Sequence, residues 1–500
     1  MNLSKSLFVA GVQCHKLLWW QVHEPLAPEL QPDKVLQDRF DQGAQVGELA
    51  RREFPGGVLI DAKATSIEGR IAATQEAMAG DAPAIFEAMF EYDGVRVKVD
   101  VLLKTGDGSQ ETADRSSIAW RLIEVKMTSS QKPEHIPDAA VQLYVLERCG
   151  VKVSSVEIMH LNPEFRLPTN DSRLVGLFAR KDITAEARAM QATIPAEIAA
   201  QKHALTGALP DVSIGEHCGE PRDCVFLKRC WPQNADHIAN LYNVGIKRAS
   251  DHMAAGVHSV WQLPEKKTKN AVVKRQLTSM KENRLIVEPT LGEALKEFSG
   301  RLGFLDFETI MRAVPVWDGM KPHEAAPAQF SYHEANGDGT YRHEAYLAEG
   351  PKDCRAELVG QMLAATKDAD RVVMYSPYEK TQIRGLQKSV PEFATELVAL
   401  EAKLIDLLPV VRDNVYYPDF HGSFSIKYVL GPMVPGLSYS DLIIVDGLTA
   451  SVEIARLLFV SGKIRKDEQD RVRRDLLDYC KRDTLALTRL LERLHQLARP

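Results

Sequence analysis

Apolar and polar positions alternate along VRVKVDVLLK (residues 95–104), and a second β-rich run, IAWRLIEVKM (118–127), follows after the polar loop TGDGSQETADRSS. Two such runs around a polar loop predict a hairpin. Glu124 and Lys126 are two positions apart, so both side chains leave one face of the second strand, and Asp100 lies in the partner strand. DAAVQLYVLE (138–147) reads as the helix that follows, and the Ala-rich stretch Asp182 to His203 as further helix. RLGFLDFETI (301–310) is an apolar strand with Asp306 and Glu308 alternating on one face. RVVMYSPYEKTQI (371–383) predicts a strand, then a turn. The chain closes on LLDYCKRDTLALTRLLERLHQL, whose periodicity is helical and whose Tyr479 and Asp483 stand one turn apart.

These patterns divide the chain into three stretches. Residues 1–232 mix strands and helices and hold five of the seven cysteines, 233–297 read as a helical connector, and 298–500 form a second mixed segment. Alternating strand and helix runs in both large segments argue for α/β or α+β layers in a multidomain protein. In the connector Leu241, Val244, Ala249, Met253, Val257, Val260 and Leu263 fall near helical spacing, with Gly245 and Gly256 at turns. It resembles a helix-hairpin-helix module, whose turn amides meet phosphate, or is a plain linking bundle. The cations around it (Lys266, Lys267, Lys269, Lys274, Arg275) either track a nucleic-acid backbone or form a solvated face.

Composition excludes several classes. With 45% hydrophobic and 26% charged residues, the chain is neither disordered nor collagen-like. The formal charge of -6, from 62 Lys+Arg against 68 Asp+Glu, is not that of a polybasic nucleic-acid binder. The N-terminal MNLSKSLFVAGVQCHKLLWW has the outline of a lipoprotein signal, but its apolar stretch is short and Gln13 stands where a small residue should precede Cys14. No run approaches 18 apolar residues, so no membrane span is expected. Sparse cysteines fit a reducing, cytoplasmic setting.

Cys218, Cys224 and Cys230 are each separated by five residues in HCGEPRDCVFLKRCW. Such clustering points to a metal or cluster site. Cys14 is the candidate fourth ligand and His217 its competitor, with zinc and iron–sulfur both open at this spacing. Cys149, Cys354 and Cys480 read as small core residues.

The N-terminal SKSLFVAGVQCHKLLWW and the three-cysteine loop resemble the RecB/AddB-like and CRISPR-associated iron–sulfur nucleases. That resemblance implies a 4Fe-4S cluster on Cys14, Cys218, Cys224 and Cys230. Asp100, Glu124 and Lys126 match the PD-(D/E)xK positions, and Gln142 resembles the glutamine on the next helix. Tyr144 comes two positions later instead of four, and Gly47 and Glu48 stand where a Gly-x-x-x-His sequence is typical, with Glu48 as the substitute metal ligand. The C-terminal segment resembles the DnaQ-like exonucleases of RNase H fold. Asp306, Glu308, Glu379 and Asp483 would be the four carboxylates that hold two Mg2+ or Mn2+ ions, with Tyr479 positioning water and Asp406 in reserve for Glu379. QFSYHEANGDG, DLLPVVRDNVYYPDFHGSFSIKYVLGPMVPGLSYSDL and LLDYCKRDT resemble a bacterial family of unknown function that joins these two parts. Ser425 and Lys427 are candidate phosphate contacts or an ordinary turn and surface lysine. The combined expectation is a metal-dependent nuclease, a 3′-5′ exonuclease in its C-terminal part. Its partner would be single-stranded DNA or RNA, or a duplex, with no membrane. The rival is a non-catalytic nucleic-acid-binding repair or defence factor on nuclease scaffolds.

Overall fold

The computed structural model describes residues 2–60, 66–105, 118–169, 174–263 and 269–499. Two compact units emerge: Met1–Trp231 with Arg312–His323, and Pro232–Met311 with Glu324–Pro500. Both mix helices with sheets, in keeping with the α/β (α+β) expectation.

Among the described residues, seven strands form the sheet of the first unit: β1 (Leu3–Ser4), β2 (Val58–Leu59), β3 (Ala84–Tyr92), β4 (Val95–Thr105), β5 (Ala119–Lys126), β6 (Val153–Leu161) and β7 (Phe178–Asp182). Their order is β2-β3-β4-β5-β6-β7, with β1 parallel to the start of β4. The expected hairpin is β4 and β5, antiparallel with Val101 opposite Ile123; residues 106–117 of its loop lie outside the described residues. Val95, Val97, Val99 and Val101 are buried while Arg96, Lys98 and Asp100 alternate to the other face, so the period of two in the sequence is also the period of burial. Helix His135–Arg148 covers the sheet with Ala139, Leu143, Val145 and Leu146 fully buried. Helices Lys5–Gln13 and Ile194–Thr206 meet closely: a Cβ at Gly11 would stand 2.3 Å from Gln201, whose amide donates to Phe8 O at 2.9 Å.

In the second unit β8 (Ile286–Val287) pairs with β14 (Val415–Tyr416). The main sheet holds β9 (Leu302–Met311), β10 (Ala325–Ala335), β11 (Tyr341–Leu347), β12 (Arg371–Met374) and β13 (Leu404–Asp406), in the order β11-β10-β9-β12-β13. β9, β10 and β11 run antiparallel, and β12 and β13 run parallel to β9. β9 is central and is packed by helices Gly447–Phe459 and Lys466–Leu497. That cover explains its nearly continuous burial, broken in the interior at Asp306. Val472, Leu476, Tyr479, Leu487, Leu490 and Leu494 of the C-terminal helix repeat at three, four or eight and are buried.

The expected connector packs inside the second unit. Helix Gly245–Ala254 is flanked by left-handed Gly245 (φ 66°) and Gly256 (φ 80°), the turn positions read from the sequence. Arg275 is buried, its guanidinium donating to Glu288 at 2.8 Å, Arg412 O at 2.7 Å and Asp413 O at 2.5 Å, so it clamps helix Ala271–Glu282 onto the fold instead of facing solvent. Lys269 and Lys274 are exposed; Lys266 and Lys267 lie outside the described residues.

Candidate active sites

The central strand β9 and the C-terminal helix bring together Asp306, Glu308 and Asp483, whose carboxylate oxygens lie within 4.8 Å of one another. Glu308 is 7% exposed. Among the described residues no lysine or arginine is ion-paired with any of the three. Glu379, 4% exposed at the start of helix Tyr378–Ser389, lies beside Asp306 and leaves Oε2 buried without a protein partner. Burial, then Asp483 and its neighbours, push Asp306 and Glu308 well above the usual carboxylate range. Burial pushes Glu379 up to about 7. Asp483 is pushed by burial up to about 6, partly opposed by the Tyr439 hydroxyl and Lys427. A compact, uncompensated carboxylate group with an orphaned buried oxygen fits divalent cations. Asp406, the reserve residue, instead caps helix Leu407–Asn414, accepting from Leu408 N at 2.9 Å.

Tyr479 is buried one helical turn before Asp483. A second tyrosine, Tyr439, donates to Asp483 Oδ1 at 2.5 Å, and the two rings stand 6.2 Å apart. Arg482 secures the segment carrying Tyr439 by two bonds to Asp441, at 2.9 and 2.8 Å, and one to Ser438 O. The exposed Lys427 lies 5.6 Å from the Tyr479 ring and 5.8 Å from the Tyr439 ring and donates to Val445 O at 2.5 Å, whereas Ser425 only opens its helix. Cys480 is buried as expected, and its thiol meets Asp306 Oδ2 at 3.6 Å.

In the first unit, Glu124, Lys126 and Gln142 converge, but with extra partners. Glu124 Oε1 accepts from Lys126 at 2.8 Å and from Lys5 at 2.7 Å, and its Oε2 accepts from Gln142 at 2.8 Å. Asp138 pairs with Lys126 and lies 3.4 Å from Lys5. Asp100 accepts from Val125 N at 2.8 Å. Burial pushes Asp100 up to about 7, with Glu124 adding to it. Burial also raises Glu124, but Lys126 and Lys5 more than reverse this and hold it well below the usual range. Glu48 does not join the group. It sits on an exposed face of helix Lys34–Arg51 and pairs with Arg52 at 2.9 Å. With every Glu124 oxygen already taken by protein donors, these residues do not fit a divalent ion as they stand.

Cys14, Cys218, Cys224 and Cys230 line one small pocket together with His217. Cys14 separates helices Lys5–Gln13 and His15–His23, and Cys230 ends helix Leu227–Cys230. Gln13 ties the first helix to the loop, donating to His217 O at 2.9 Å and Arg222 O at 2.7 Å. Trp20 packs on Phe226 at 5.1 Å, and Arg229 reaches Glu24 at 2.6 Å and Glu29 at 2.7 Å. Burial raises Cys218, Cys230 and Cys224, the last to about 11; a bound cationic centre would reverse that by stabilising thiolates. Among the described residues no three of these sulfurs lie within 4.8 Å of one another. Four thiols on one pocket are a donor set that suits a zinc ion or an iron–sulfur cluster. Cys354 is buried as expected, but Cys149 is exposed, because it caps a helix end where its thiol meets Glu91 O at 3.4 Å.

Sequence reasoning missed Lys5, Asp138 and Tyr439. Asp138 carries a local signal, four positions before Gln142 on the same helix face; Lys5 and Tyr439 carry none, since they lie 119 and 44 positions from the carboxylates they bind. Residues 303–425 match a domain of unknown function (DUF2779). No curated protein matches the chain.

Proposed function

We propose that this protein is a metal-dependent nuclease of DNA or RNA, with its hydrolytic site on the RNase H-like second unit and a 4Fe-4S, PD-(D/E)xK-like first unit that handles the strand or adds a second cleavage. The observation that carries the reading is the triad Asp306, Glu308 and Asp483, gathered within 4.8 Å with no lysine or arginine ion-paired to it among the described residues. The position of Asp306 and Glu308 on the central strand of a sheet whose three antiparallel strands continue into two parallel ones, with Asp483 on the helix packed against it, supports the DnaQ-like resemblance.

Asp306, Glu308, Glu379 and Asp483 would hold Mg2+ or Mn2+. When bound, such ions supply Lewis acidity for in-line phosphodiester hydrolysis. The chain's own groups do the rest. Tyr439 fixes Asp483 by its hydrogen bond, and Tyr479 is placed to orient water. The carboxylates are buried, and the lower effective dielectric there would strengthen their hold on bound cations. Lys427, beside both tyrosines, is placed to meet a substrate phosphate. The acidic balance of the chain is compatible with nucleic acid because the ions would reverse the local sign.

For the cysteines, a tetrahedral zinc with Zn–S of about 2.3 Å would draw sulfurs to about 3.8 Å of one another. The resemblance to the iron–sulfur nucleases favours a 4Fe-4S cluster over zinc at these four cysteines. Anaerobically purified protein should show a broad absorption near ~400 nm.

The deciding experiment compares Asp483→Ala and Lys126→Ala on end-labelled single and double strands of DNA and RNA with Mn2+. Asp483→Ala should abolish degradation, while Lys126→Ala reports any second cleavage. If neither changes cleavage, or if the intact protein binds strands without degrading them, the nuclease reading is wrong.

A further inference from the structure

The two carboxylate groups differ in what neutralises them. Asp306, Glu308 and Asp483 stand together with no ion-paired lysine or arginine among the described residues. In the first unit, by contrast, Glu124, Asp138 and Asp100 surround two ammonium groups. Lys126 comes from the same strand as Glu124, two positions on, and pairs with Glu124 at 2.8 Å. Lys5 arrives from the first turn of helix Lys5–Gln13, and its Nζ lies 2.7 Å from Glu124 Oε1 and 3.4 Å from Asp138 Oδ1. The Lys5 side chain is 19% exposed, at the wall of a pocket of about 410 Å³ that also reaches Lys126, His135, Asp138 and Arg222.

Helix packing fixes Lys5 in this place. Ser4 caps the helix through Leu7 N at 3.2 Å, Leu3 and Phe8 are buried, and β1 pairs with the start of β4. The ammonium therefore stands where the negative charges of Glu124 and Asp138 meet, which is where a divalent ion would be most strongly attracted. An entering ion would have to displace a cation tethered by the backbone and already paired at contact distance, and it would then meet the repulsion of that same cation nearby.

We propose that Lys5 is the resident counter-cation of the first unit's carboxylate cluster and keeps divalent metal out of it, so that this unit serves strand handling and the second unit alone hydrolyses. Assigning hydrolysis to the second unit rests on the function proposed above; the exclusion of metal by Lys5 does not. Lys5 acts here as a positioning residue, holding Glu124 and Asp138 in an ion-paired arrangement.

The test is Mn2+ binding to the full chain, read by titration calorimetry and by the free-Mn2+ paramagnetic signal, in an Asp306→Asn/Asp483→Asn background. The background protein should bind Mn2+ only weakly, and adding Lys5→Met should create a site at least about tenfold tighter, since removing one adjacent positive charge restores the attraction of the carboxylates. Lys5→Arg should leave binding weak. If Lys5→Met fails to fold, Glu124→Gln in the same background gives the answer, because it should leave Mn2+ binding unchanged. Tight binding in the background with Lys5 present, no gain on Lys5→Met in a cooperatively folded protein, or loss of binding on Glu124→Gln would each overturn the proposal. Whether the otherwise native chain loses Mn2+ on Asp306→Asn/Asp483→Asn is a separate readout, which bears on the hydrolytic site only.

Discussion

Asp483 and Glu379 are buried acids that favour the protonated form, at about 6 and about 7. Their folded-state proton affinity lies above that of the unfolded chain, so between roughly pH 4 and 7 the native state binds more protons and stability falls as pH rises. Without metal, the melting temperature should drop across this window, by an amount on the order of a few kcal/mol in stability. Added Mn2+ should restore it if the proposed site holds ions, because binding to the folded, ionised form alone stabilises that form. Asp483→Asn should make the metal-free protein more stable at pH 8 while removing cleavage; calorimetry with and without Mn2+ checks both. Tyr439→Phe removes one charge-assisted bond at about 1.5–3 kcal/mol. It should weaken Mn2+ affinity and slow cleavage roughly tenfold or more, and a titration beside a rate assay decides. At this scale the sequence displayed the proposed site through spacing (Asp306 and Glu308 at two, Tyr479 and Asp483 at four). It hid Tyr439, because a hydrogen bond between residues 44 positions apart leaves no local pattern.

Elements were legible wherever burial followed a simple period. The alternation of VRVKVDV became β4, and the leucine repeat at the end of the chain became helix Lys466–Leu497. Close approaches were not legible. Gly303 in β9 is one: a Cβ there would stand 2.2 Å from the hydroxyl of Tyr332, which is fully buried and donates to Glu334 Oε2 at 2.6 Å. Gly303→Ala should cost about 1–3 kcal/mol by overpacking. Gly385, inside helix Tyr378–Ser389, has nothing within 4 Å of an added Cβ, so Gly385→Ala should stabilise by about 0.5–1 kcal/mol. Denaturant melts of the two variants should move in opposite directions.

For the whole molecule, the division into two units assigns the four pocket cysteines, Cys14, Cys218, Cys224 and Cys230, to the first. Cys14→Ser should remove the ~400 nm absorption and lower the melting of Met1–Trp231 while leaving the second unit's transition in place, as calorimetry with limited proteolysis would show. The segment Arg312–His323 was unforeseen. It lies between β9 and β10 in sequence but packs in the first unit, where Arg312 pairs with Asp38 at 2.6 Å and Ala313 N donates to Gln42 at 2.6 Å. Likewise the connector read as a separate stretch because helical periodicity says which face is apolar, not which surface covers it.

By itself the sequence determined the mixed α/β class, the main strands and helices, and the residue types able to hold metal, because period and spacing are local consequences of backbone geometry. Only the tertiary structure decided which carboxylates stand uncompensated and which are met by lysines. Charge compensation acts over a few ångströms in space between residues as distant in the chain as Lys5 and Glu124, and no count of charges along a sequence contains that distance.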